Sequence, residues 1–177
     1  MSVAVYVIGD SHFGHANILN FTREDGTKLR PFDNIVQMHD CMVTKWNEVV
    51  RPQDHVYHLG DFAITQNGLN IALQLQGHKR LVRGNHDTLK TAHYLRVGFK
   101  EIYGVRILAD LMMTHIPVHP DSLRRNWVNV HGHLHNNHAT GSRTPHLGLR
   151  YYNASAECLN YTPVTLEQIK AEVATWA

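Results

Sequence analysis

The sequence predicts an α/β protein: a parallel sheet with helices in the first half, and a further, strand-rich sheet packed on it in the second. Apolar, β-branched runs alternate with amphipathic segments as far as Gly98, and beyond it strand-like runs follow one another with few helical signals. The third observation concerns where the runs stop. Val3 to Ile8, Val56 to Leu59, Leu81 to Arg83 and Trp127 to Val130 each break into Gly, Asp, Asn or His, so side chains that bind metals gather at predicted strand ends.

Taken in order, Val3 to Ile8 reads as a buried strand and Gly9 to His15 as a glycine-bracketed turn that lets backbone approach a ligand. Ala16 to Phe21 is a short helical turn. Thr22 to Pro31, carrying Arg23, Lys28 and Arg30, is an exposed loop, either a solvated connection or a basic flap that meets an anionic substrate. Asp33 caps a helix running to about Val50; Ile35, Met38, Met42, Trp46 and Val49 fall on one face as core, and Pro52 stops it. After the strand Val56 to Leu59, a helix is expected over Asn67 to Gln76 with Leu69, Ala72, Leu73 and Leu75 turned inward. Arg80 to Val82 is a short strand and Thr88 to Val97 a helix. Phe99 to Tyr103, Val105 to Thr114, Asn126 to Val130 and Leu147 to Asn153 are strand-like. Thr165 followed by Gln168 is a capping box that starts a helix ending near Trp176.

The length, 177 residues, suits one domain over 1–177, and 43% hydrophobic with 18% charged residues excludes a disordered chain. A net charge of +2 gives no strong nucleic-acid footprint. Cys41 and Cys158 have no CxxC partner, and there is no signal peptide or bilayer-length apolar run. The expectation is a soluble protein of a reducing cytoplasm, with no membrane partner; oligomeric state is left open. The 15 histidines form no tag-like run and concentrate near strand ends, which points to a metal site.

The candidate ligands are Asp10, His12, Asp61, Asn85, His86, His115, His131 and His133. One metal accommodates only a few of these, whereas two sharing a carboxylate such as Asp61 would use nearly all. Imidazoles with oxygen donors and no thiolate suit Zn, Mn, Fe, Ni or Co.

Asp10-Ser11-His12, Gly60-Asp61, Gly84-Asn85-His86-Asp87, Thr114-His115 and His131-Gly132-His133 resemble, in order and type, the five signature blocks of the calcineurin-like metallophosphoesterase superfamily. The texture around Asp10 to His15 and Val56 to Phe62 is similar to its small bacterial and phage phosphoesterases. The resemblance implies a two-sheet α/β/β/α sandwich with mixed sheets and two divalent transition-metal ions. Asp10, His12 and His133 would hold one ion, Asn85, His115 and His131 the other, and Asp61 would bridge. It also implies that Asn85 and His86 bind substrate, that His86 contacts the scissile phosphate and protonates the leaving oxygen with Asp87 as its orienting carboxylate, and that metal-activated hydroxide hydrolyses the ester without a covalent intermediate. Ser11 is then a small turn residue.

His15, on the glycine-rich turn, is the first choice for a further substrate contact; His58, His119 and His135 lie near enough in sequence to touch substrate or donate a hydrogen bond to a ligand. His39, His55, His78, His93, His138 and His146 receive no role. Arg83, Arg124, Arg125 and Arg143 flank the motifs but are not assigned. The expected substrate is a small phosphorylated molecule, nucleotide-derived and with a lean to a diester, selected by loops 14–31 and 116–126. The alternative is an inactive protein-interaction scaffold of the same fold, which would usually lack some of these ligands; an amide hydrolase ranks last, since it would not require Asn85.

Overall fold

The computed structural model describes residues 2–137 and 150–176. Strands β1 (Val5–Ile8), β2 (His55–His58), β3 (His78–Val82) and β4 (Glu101–Tyr103) pair in parallel in the order β4-β3-β2-β1, and β9 (Val164–Thr165) joins β1 antiparallel. A second sheet runs β5 (Arg106–Leu108), β6 (Leu111–Met113), β7 (Val128–His131) and β8 (Tyr151–Asn153), antiparallel between β5 and β6 and parallel thereafter. The protein is thus a mixed α/β structure with two mixed sheets.

Strand alternation sorts the core into two layers. Ile8, Val56 and Leu81 face α1 (Ile35–Val49), whose Met38, Met42 and Trp46 are buried as the helical spacing predicts. Their neighbours Val7, Tyr57, Leu59 and Val82 face the other way, onto Leu111, Met113, Val128, Val130 and Tyr152 of the second sheet and onto Leu166 and Ile169 of α4 (Leu166–Val173). Thr165 and Gln168 close the capping box at the start of α4.

Local differences from the sequence reading have physical causes. The cap of α1 is Asn34, whose side chain accepts from Gln37 N at 2.9 Å, while the Gln37 amide oxygen takes the Asp33 N–H. The helix expected over Asn67 to Gln76 is α-helical only in α2 (Gln66–Leu69) and continues as a 3-10 turn over Asn70–Gln74. At three residues per turn Leu69, Ala72 and Leu75 align inward and Leu73 leaves their row, 68% exposed. The third helix, α3 (Thr91–Arg96), is shorter than Thr88 to Val97. Val105 to Thr114 splits into β5 and β6 because Ala109 and Asp110 both take positive φ, as a two-residue hairpin turn requires. The expectations for His138, Arg143, His146 and the start of the Leu147 run lie outside the described residues. No described helix is long and apolar enough to cross a membrane.

In the parallel register Ile8 lies beside His58 and His58 beside Leu81, so the turns that follow β1, β2 and β3 emerge side by side. The segment after β8 ties the two sheets together at that edge: Gly9 N donates to Ala154 O, Ala156 N to Gly9 O, and Ala154 N to His131 O. Open parallel sheets place ligands in the crevice beyond such ends.

Candidate metal centre

Asp10 and His12 follow β1 by two and four residues, and His133 and His135 follow β7 in the same way. Both pairs belong to a Gly-x-x-His pattern, Gly9 to His12 and Gly132 to His135. Asp10 (φ 55°), His12 (51°), Asp61 (53°), His133 (68°) and His135 (52°) all adopt the left-handed backbone region that L residues avoid. Such strain persists where surrounding contacts impose it, and it clusters at functional sites. Here the contacts are explicit: Asp10 N donates to Gly60 O at 3.0 Å, His12 N to Asp61 O at 2.9 Å, and His133 N to both carboxylate oxygens of Asp10 at 2.9 and 3.0 Å.

Among the described residues the structure brings together two groups able to hold a metal ion: Asp10, His12 and His135, and Asp61, His115 and His133. His131 joins neither; it is buried and its Nδ1 donates to Gly132 O at 2.8 Å. His133, assigned with Asp10 and His12 by the resemblance, instead stands with Asp61 and His115, and His135 takes its place. Asp61 Oδ2 lies 3.6 Å from His12 Nε2 and 3.4 Å from His115 Nε2, between the two groups.

The donor chemistry fits cations. His115 Nδ1 can only donate to the Leu59 carbonyl, 2.8 Å away, which leaves the Nε2 lone pair of a neutral ring facing Asn85 Oδ1 at 2.8 Å and the Asp61 carboxylate. Three acceptors converging need a proton or a metal ion between them. Against burial, the hydrogen bond and charge of Asp61 pull the His115 pKa up. Burial and the Arg30 charge push His12 down to about 2, so its contact with Asp61 is not an ion pair, and its buried Nε2 has no hydrogen-bond partner among the described residues. Burial raises Asp10 to about 6; Asp61, although burial opposes it, is drawn to about 2 by His115 and the His86 N–H. Burial alone would make each of these groups neutral, and it is their mutual pairing that keeps Asp61 charged.

His86 and Asn85 are exposed at the mouth. The His86 N–H donates to Asp61 Oδ1 at 2.8 Å, and its ring stands 5.5 Å from His12 and 6.4 Å from His15. His15 is half-buried beside His12. Asp87 is buried and accepts from Asp61 N, Phe62 N and Gly84 N at 2.8 to 3.0 Å, and from Tyr94 Oη at 3.4 Å. Among the described residues its hydrogen bonds go to these groups and not to the His86 ring, so it fastens one turn to the next. His58 is buried against Ser11 Oγ at 2.8 Å. His119 is exposed beside Asp121.

Sequence reading passed over Glu157 and placed Arg30 in an exposed basic loop, whereas its guanidinium turns inward to buried carbonyls and a buried carboxylate. Glu157 Oε1 takes a hydrogen bond from His135 Nδ1 at 2.6 Å, and its Oε2 meets Arg30 Nη2 at 3.0 Å. Fully buried Arg30 also donates to the carbonyls of Ser11 and Asp10. Three residues so far apart in sequence leave no periodic signal, but the Gly-x-x-His repeat does point to His135.

Fold and site together define an α/β protein with a candidate metal centre at the ends of its parallel strands. No family model matches the chain. It is 34% identical over 169 residues to the uncharacterized protein MJ1445 of Methanocaldococcus jannaschii, covering 93% of this chain and 88% of the other, and it belongs to the same family as that protein. The crystal structure of a protein of unknown function from Aquifex aeolicus, AQ665, matches with a TM-score of 0.73 and 29% identity over 96% of this chain and 99% of that one. The nuclease MPE of Pseudomonas putida is 17% identical, with a TM-score of 0.49 over 74% of this chain and 61% of that one.

Proposed function

We propose that the protein is a metal-dependent phosphoesterase of the calcineurin-like type, one domain over 1–177, that hydrolyses a phosphodiester of a small, nucleotide-derived molecule. The observation that carries this reading is the pair of Asp/His groups meeting at Asp61, with Asn85 on one side and exposed His86 at the mouth. Asp10, His12 and His135 would hold one divalent ion, Asn85, His115 and His133 the other, and Asp61 both. Two such ions would supply Lewis acidity toward phosphoryl oxygens and would lower the pKa of a water molecule toward neutral pH.

The chain's own residues do the rest. Exposed His86 would give a proton to the departing alkoxide oxygen; its main-chain N–H is pinned to Asp61 Oδ1 and its ring stands 5.5 Å from that of His12. His15 lines the same mouth as a hydrogen-bond donor to phosphate. Asp87 holds the turn that presents Asn85 and His86.

Hydrolysis of bis(p-nitrophenyl) phosphate and of p-nitrophenyl phosphate, each with added Mn, Ni or Zn, tests the reading. Faster metal-dependent turnover of the diester is expected, and no turnover with any metal would overturn it. His86→Ala should lower turnover by ~100-fold with metal content unchanged, whereas Asn85→Ala should lose metal affinity first.

A further inference from the structure

We infer that Glu157 is a positioning residue for the Asp10, His12 and His135 group, acting by deciding which nitrogen of His135 faces it; this rests on the metal-centre reading above. The Glu157 side chain is 1% exposed and the Arg30 side chain 0%. A guanidinium only donates and a carboxylate only accepts. Arg30 therefore occupies Oε2, and Oε1 can only take the Nδ1–H of His135, 2.6 Å away. The proton is held on Nδ1, and Nε2 is left with its lone pair. The rest of His135 is fixed independently: Asn153 Nδ2 and Cys158 Sγ both donate to its carbonyl, and its ring stacks on His12 at 5.2 Å. Arg30 also grips the carbonyls of Asp10 and Ser11, so one buried ion pair orients His135 and steadies the strained turn that carries Asp10 and His12.

The arrangement makes Glu157→Gln a sharper change than its shape suggests. Gln offers one acceptor and one donor group. Buried Arg30 claims the acceptor, because an unpaired buried cation is the costlier fault. The amide NH2 then faces His135 Nδ1, which must supply a lone pair, and the imidazole proton moves to Nε2, where it blocks a metal bond.

The test is calorimetric titration of the metal-free full chain with Mn(II) or Zn(II), with folding checked by circular dichroism. The wild type should take up two ions. Glu157→Gln should keep one and bind the other roughly 10–100-fold more weakly. His135→Ala should weaken the same ion, and the double variant should add no further loss. A merely structural role would weaken both ions together, and that result, unchanged affinities, or losses that add would overturn the proposal. Failure of the wild type to bind ions would instead overturn the metal-centre reading and this inference with it. Should Glu157→Gln not fold, nitrogen-15 spectra of the zinc-loaded wild type decide: His135 protonated on Nδ1 is expected, and zinc on Nδ1 overturns the inference.

Discussion

Gly132→Ala separates steric fit at the site from backbone strain elsewhere. A Cβ at Gly132 would stand 2.3 Å from Asp10 Oδ2 and 3.2 Å from its Cγ, yet this glycine does not have positive φ, so any alanine cost is contact and not conformation. Asp10 is fully buried, and both its oxygens accept from the His133 N–H. It can move away from the methyl only by stretching that charge-assisted bond. Overpacking at ~1–3 kcal/mol, plus part of a charge-assisted hydrogen bond, gives about 2–5 kcal/mol. For a chain of this length that is a fall in Tm of roughly 4–20 °C. Two controls isolate the cause. Gly98 has φ +97° with nothing among the described residues within 4 Å of its would-be Cβ, so Gly98→Ala should cost only the left-handed penalty, about 1–2 kcal/mol. Gly104 has no described residue within 4 Å of its would-be Cβ and no positive φ, so Gly104→Ala should be neutral or stabilise by up to about 1 kcal/mol. Thermal unfolding of the three variants by circular dichroism reads the order. If Gly132→Ala melted with the wild type, the close approach of the turn after β7 to Asp10 would be refuted.

Asp87→Ala removes the acceptor of three backbone N–H groups from two turns and should destabilise by about 3 kcal/mol or more, while exposed His86→Ala stays within about 0.5 kcal/mol; urea midpoints compare them, and equal stability would return Asp87 to an orienting role at His86. Lys79, whose Nζ donates to Leu75 O, is pushed down to about 8 from 10.5 by burial and then by the Lys100 charge. Its charged form costs stability below the folded pKa, and between about pH 8 and pH 10.5 the unfolded chain binds more protons, so stability attributable to Lys79 rises with pH across that window. The wild-type denaturation midpoint should gain on that of Lys79→Met from pH 8 to pH 10.5, and a constant difference would rule the effect out.

How far the sequence reveals all this depends on whether a feature is local. β1, β2, β3 and β7 are short apolar runs that end in polar residues, and the buried face of α1 has 3.6-residue spacing, so both were legible. Asp10, His12, Asp61 and His115 were legible as candidates because they lie just beyond such runs. His131, His133 and His135 alternate along the chain, and composition alone does not say which two turn to the centre. The strand continues through His131, whose ring is buried, and only beyond it does the backbone enter the left-handed region, at His133 and again at His135. Leu73 was misplaced because a 3-10 turn changes the period inside one segment. Arg30 and Glu157 were illegible because their meaning comes from a contact across 127 positions.

The left-handed residues also bear on why the site has so many hydrogen bonds that touch no candidate metal. Asp10, His12, Asp61, His133 and His135, at about 1–2 kcal/mol each, together approach the whole stability of an ordinary domain. A local sequence preference cannot hold five such positions. They are held from several directions: Arg30 on the carbonyls of Asp10 and Ser11, Asp87 on the amides of Asp61 and Phe62, Asp10 on the amide of His133, and Asn153 on the carbonyl of His135. Each anchor comes from a different segment of the chain. The strained turns are therefore set by the assembled sheets and not by their own sequences, so the site exists only once both sheets have met.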